Sequence, residues 1–89
     1  MLSAAQRKEL KARAHKLEPV VLIGTKGITG EVVNEVDRAL KEHELIKVRA
    51  PSLEREARAE AMQTLCARTG AESVQTIGKV LIIYRKRDE

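Results

Sequence analysis

Aromatic residues are almost missing from this sequence, which has one tyrosine and neither phenylalanine nor tryptophan. Modules that hold nucleic acid by stacking bases on exposed rings, such as RNA-recognition motifs and OB-folds, are therefore disfavoured. Cysteine is as scarce. The single Cys66 cannot form an internal disulfide or a zinc site, which excludes a disulfide-stapled secreted domain and leaves no metal expected. Long apolar runs are missing too. The longest, Val20 to Ile23 and Val80 to Tyr84, fall far short of the ~20 residues that span a bilayer. The opening Met1–Arg7 lacks the apolar stretch of a signal peptide, so a cytoplasmic protein without a membrane partner is expected. Neither a Walker loop nor a dinucleotide fingerprint occurs, and no cofactor is expected.

What is present is a short, basic chain. Its 89 residues suit one domain, 1–89, and 43% hydrophobic residues are enough for a core. A domain of this size predicts a lean two-layer fold without a deep enclosed active site. Neither an enzyme nor a small-molecule substrate is therefore expected. Seventeen Lys and Arg oppose thirteen Asp and Glu, a formal charge of +4 and a pI near 9.5. Such a field attracts polyanions, with RNA, DNA and anionic membrane as the candidates.

Seven elements follow one another without repeat or linker. Ser3 and Gln6 have the spacing of a capping box and open a helix to about His15 or Lys16. Leu10, Ala14 and Leu17 form one stripe of it, expected to be buried, while Arg7, Lys8, Lys11 and His15 form a separate cationic stripe. Val20 to Ile23 is a continuous aliphatic run, as in a strand covered on both faces or central in a sheet. Thr29 caps a second helix with Val32, Val33, Val36, Ala39 and Leu40 inward. Leu45 to Ala50 reads as a strand, and Leu53 to Thr69 as a helix closed by Gly70. Ser73 to Ile77, the turn Gly78-Lys79, and Val80 to Arg85 make a β-hairpin. The order α-β-α-β-α-β-β predicts an α/β fold, with a four-stranded mixed sheet packed by helices. Its two crossover units should be right-handed, with the helices against one sheet face.

The segment Gly24-Thr25-Lys26-Gly27 joins the first strand to the second helix. Unpaired N–H groups and the positive dipole end at a helix start attract phosphate. Residues without Cβ atoms let a sugar–phosphate backbone approach. Lys26 adds a mobile cation, and Thr25 and Thr29 add hydroxyl donors. A G-x-x-G pattern is also found where a tight βα turn simply needs glycine. KH domains clamp backbone with such a loop, but theirs joins two helices. Lys47, Arg49, Lys79, Arg85, Lys86 and Arg87 supply further charge; whether these groups share a surface is not legible at this level.

Several separated motifs, in order, resemble a known family. Ala14-His15-Lys16-Leu17-Glu18-Pro19-Val20-Val21-Leu22-Ile23-Gly24-Thr25-Lys26-Gly27-Ile28-Thr29 is similar to the opening of a CRM domain (chloroplast RNA splicing and ribosome maturation). Glu44-Leu45-Ile46-Lys47-Val48, Thr69-Gly70-Ala71 and Val74 to Arg85 extend the likeness over nearly the whole chain. The stand-alone bacterial YhbY-like type is the nearest in kind. The resemblance implies a fold similar to the C-terminal domain of translation initiation factor 3. It also implies RNA binding, with association to precursors of the large ribosomal subunit. By that resemblance the RNA-contact loop falls on Gly24, Thr25, Lys26 and Gly27.

Other reactive residues have ordinary explanations. His15 and His43 each end a helix, where imidazolium meets a negative dipole, although His15 could touch RNA. Cys66 reads as a small core hydrophobe and Glu54, Glu56 and Glu60 as a solvated helix side. The expectation is a monomeric, non-catalytic RNA-binding protein. Its contacts would come from Gly24, Thr25, Lys26, Gly27, Thr29, Arg7, Lys8, Lys11, His15, Lys47, Arg49, Lys79 and Arg85. The rival reading is a protein-interaction module docking on an acidic partner.

Overall fold

The computed structural model describes residues 2–87; Met1, Asp88 and Glu89, at the ends of the expected domain, lie outside the described residues. The elements are α1 (Ala4–Ala14), β1 (Pro19–Leu22), α2 (Gly30–His43), β2 (Leu45–Arg49), α3 (Arg55–Thr69), β3 (Glu72–Ile77) and β4 (Val80–Tyr84). Local chemistry sets the ends. The Gln6 amide donates to Ser3 Oγ at 3.0 Å, and the Ser3 amide donates to Gln6 Oε1 at 2.8 Å, closing the capping box. Thr29 Oγ1 accepts the Val32 amide at 3.2 Å and starts α2. Gly70, at φ 73°, turns the chain out of α3.

The strands are ordered β1-β2-β4-β3. β1 runs parallel to β2, while β4 is antiparallel to both of its neighbours. The expected central or doubly covered strand, Val20 to Ile23, is therefore an edge. The centre of the sheet is shared by β2 and β4, and Leu81, Ile82 and Ile83 of β4 are no more than 1% exposed. An all-apolar strand gains most where both faces are sealed, and each fully buried aliphatic side chain contributes about 1.5–3 kcal/mol. The second crossover unit is correspondingly split. α3 carries the chain past the place that β4 then fills, so β2 and β3 are not neighbours.

The mixed sheet is packed by helices as expected, but on both faces rather than one. Val36 and Leu40 of α2 and Ala61 and Leu65 of α3 bury against Val21, Ile23, Ile46, Val48, Leu81 and Ile83. On the other face Leu10 and Ala14 of α1 bury against Leu45, Val74 and Ile82. Strand alternation causes the division. Leu45 and Ile46, or Ile82 and Ile83, point to opposite sides, and each side needs its own cover. α1 packs across β2, β3 and β4. The β1 margin of that face stays open, with Val20 50% and Leu22 60% exposed.

Candidate nucleic-acid interface

The loop between β1 and α2 is a tight turn. The Gly27 amide donates to the Gly24 carbonyl at 3.1 Å, which sets Thr25 and Lys26 at an exposed tip. Gly27 sits at φ 72°, a left-handed conformation that favours glycine. Gly24 is different. Its backbone makes no such demand, and a Cβ there would meet nothing within 4 Å. The turn therefore accounts for one glycine and not for the other.

Beyond the turn, Thr29 uses its side-chain oxygen to accept from Val32, and its hydroxyl proton remains available to an acceptor. The amides of Gly30 and Glu31, in the first turn of α2, have no partner that the helix itself can supply. These groups, with Gly24 to Gly27, line an open hollow of about 580 Å³. Glu31 is the acidic side chain at its edge, where it favours the positive end of the helix dipole.

Two of the expected cations are delivered to this end of the sheet. The Ile23 amide donates to the Arg49 carbonyl at 2.8 Å, so exposed Arg49 lies beside the residue that enters the loop. Lys79 is in the β3–β4 turn. Its carbonyl accepts from the Ala50 amide at 2.7 Å, and its ammonium donates to the Pro51 carbonyl at 3.1 Å. Lys47, half-buried, lies two residues from both Leu45 and Arg49 and so shares the α1 side of the sheet with them. Lys8 and Lys11 stand exposed on α1, also on that side. Arg7 is half-buried, with Nε out of reach of solvent and without a partner. His15 caps the end of α1, exposed.

A family model described as the CRS1 / YhbY (CRM) domain matches residues 2–85. The chain belongs to that family. An RNA-binding protein of Haemophilus influenzae is 42% identical over 88 residues, covering 99% of this chain and 89% of that one. A candidate RNA-binding protein of Pseudomonas aeruginosa is 41% identical over 85 residues, covering 96% and 82%. The solution structure of a Staphylococcus aureus protein, a candidate RNA binder, superposes with a TM-score of 0.88 at 35% identity. It covers 100% of this chain and 93% of that one.

One of the expected contact residues is placed elsewhere in this CRM domain. Arg85 follows β4 at the end of the sheet away from the loop, where its amide donates to the Glu44 carbonyl at 2.9 Å. Its guanidinium turns inward. It donates to Asp37 Oδ1 at 2.7 Å, the Thr69 carbonyl at 2.7 Å and the Asp37 carbonyl at 3.1 Å. The Arg85 hydrogen bond holds the Asp37 carboxyl below its usual range, against the opposing effect of burial and with help from Lys41. Arg85 thus ties α2, α3 and β4 together, away from the Gly24–Gly27 loop. Arg87 is tied as well, its amide donating to Glu44 Oε2 and its guanidinium to the Glu42 carbonyl, both at 2.7 Å.

Reading the chain residue by residue missed an open apolar margin on the α1 side. Leu17, Val20 and Leu22 are 37%, 50% and 60% exposed, and Leu22 stands in register with Arg49. Leu17, expected to complete the buried stripe of the first helix, lies beyond its end and is exposed, so α1 buries only Leu10 and Ala14 and is too narrow to cover four strands. Elsewhere, burial and then the charge of Glu72 push the Cys66 thiol up, away from the thiolate a nucleophile needs. Among the described residues no group of His, Cys, Asp and Glu could hold a metal ion. No helix among them is long and apolar enough to cross a membrane.

Proposed function

We propose that this CRM domain binds structured RNA through Gly24 to Gly27 and the start of α2. We further propose that its target is precursor RNA of the large ribosomal subunit. In this reading a backbone phosphate sits over the turn and accepts hydrogen bonds from the Gly30 and Glu31 amides and the Thr29 hydroxyl. Lys26 follows the phosphate on its flexible stem, and Thr25 donates from the tip. Arg49 and Lys79 continue the positive path along the end of the sheet, while Lys47, Lys8, Lys11, Arg7 and His15 border it on the α1 side. Phosphate contacts of this kind position RNA without reading sequence, so selectivity comes from RNA shape. The domain acts as a cytoplasmic monomer and carries out no chemistry on the RNA.

The observation that carries this reading is Gly24. Neither backbone conformation nor packing calls for glycine there, and a bare backbone at the mouth of a helix start admits a ribose–phosphate chain. The RNA-binding names of relatives at about 40% identity point the same way. The test is crosslinking in cells followed by RNA sequencing, with Thr25→Asp/Lys26→Asp alongside the wild type. Large-subunit precursor RNA should be enriched with the wild type, and the variant should lose that signal while keeping its melting temperature. Enrichment of unrelated RNA would refute the target. Equal recovery by the variant would refute the loop.

A further inference from the structure

We infer that the open margin of the sheet beside the loop is a site for unpaired nucleobases, an inference that rests on RNA binding by the loop. The margin starts at the corner where α1 gives way to β1. A hollow of about 300 Å³ lies there, at the end of the sheet, with Leu17, Val20, Leu45 and Ile46 as apolar walls and Arg13, Glu18 and His43 as polar lining. A hollow of this size, apolar with a few donors and acceptors, suits a flat heterocycle whose edge must be hydrogen-bonded. From the corner the margin follows the four residues of β1, roughly 13 Å at strand spacing, to Leu22 and the loop. An RNA strand leaving the phosphate position at Gly24 thus meets, within a few nucleotides, a surface unlike the loop itself.

Charge decides the occupant. Arg49 stands beside Leu22 and Lys47 beside Pro19, with an irregularity in register between Pro19 and Val21, so a cation lies near each end of the margin. Lysine is depleted in protein–protein contacts, so Lys47 at the base of the margin argues against a protein occupant. Unpaired RNA suits both kinds of group, because each nucleotide carries a flat base that can stack and a phosphate anion. Arginine guanidinium planes accept stacked bases where aromatic rings are absent. Tyr84 cannot serve here, being half-buried in the cluster beneath α1. The margin therefore supplies base contacts that the loop, a backbone clamp, lacks.

The test compares an RNA hairpin carrying a short adenosine tail with the same molecule whose tail nucleotides are abasic, phosphates unchanged. The wild type should bind the abasic RNA roughly tenfold more weakly, the lower range of what stacked bases contribute. Val20→Ser/Leu22→Ser, both at exposed positions, should keep its circular dichroism and bind both RNAs with the weaker affinity. Wild type that binds both RNAs equally overturns the base site and leaves loop binding standing. A variant that still distinguishes them places the bases elsewhere, with the same consequence. Dimerisation that the two substitutions abolish would assign the margin to a second copy of the chain and overturn the inference. Wild type that binds neither RNA refutes loop binding itself.

Discussion

The two faces of the sheet are built from the same aliphatic alphabet and come to opposite ends. The α2–α3 face takes Val21, Ile23, Ile46, Val48, Leu81 and Ile83 out of solvent completely or nearly so. The α1 face is sealed only at Leu45, Val74 and Ile82, and its β1 margin keeps Val20 and Leu22 in water. The difference lies in the covering helices rather than the strands. Two helices of 14 and 15 residues cover the first face, and one of 11 residues covers the second. An incomplete cover in a domain this small leaves apolar area unburied, and that area becomes available for binding.

Substitution can pull the two faces apart. Leu65→Ala on the sealed face should cost about 3 kcal/mol, the usual loss for a buried leucine whose site relaxes only in part. Leu22→Ala on the open margin should change stability by no more than ~0.5 kcal/mol. Urea unfolding of the two variants measures both numbers, and similar losses would show that the margin is covered in solution. A smaller effect is expected at the clamp that closes the far end of the sheet. Arg85→Ala removes three hydrogen bonds, one to a carboxylate, and should cost about 2 kcal/mol without weakening RNA binding. The clamp also predicts a pH dependence. Because Asp37 is held below its usual range in the folded state, its contribution is fully present above the unfolded carboxyl value of about 3.9. That contribution is lost as pH falls through the depressed folded value. Arg85→Ala should flatten this acid limb, with Lys41 preserving part of it.

Features that act over three or four residues were legible in the sequence. Ser3 with Gln6, Thr29, and the glycines at positions 70 and 78 announced their caps and turns, because the groups that satisfy them are close along the chain. The loop Gly24 to Gly27 was legible for the same reason. What could not be read depends on partners far apart. Val20 to Ile23 has the composition of a buried strand, yet its edge position follows from β4 entering beside β2 some 60 residues later. Arg85 looked like the start of a basic tail, and only its contact with Asp37, 48 residues away, shows it turned inward. The open margin was hidden because an aliphatic run does not say whether a helix lies over it.

The loop as the RNA contact is tested most directly by amide chemical-shift mapping of the folded domain titrated with a short RNA hairpin. The account predicts the largest shifts at Gly24 to Glu31, with weaker ones at Leu22, Arg49 and Lys79. Little change is expected around Asp37, Thr69 and Arg85. Shifts centred on the α2–α3 face or the Arg85 clamp, with Gly24 to Glu31 unmoved, would contradict it.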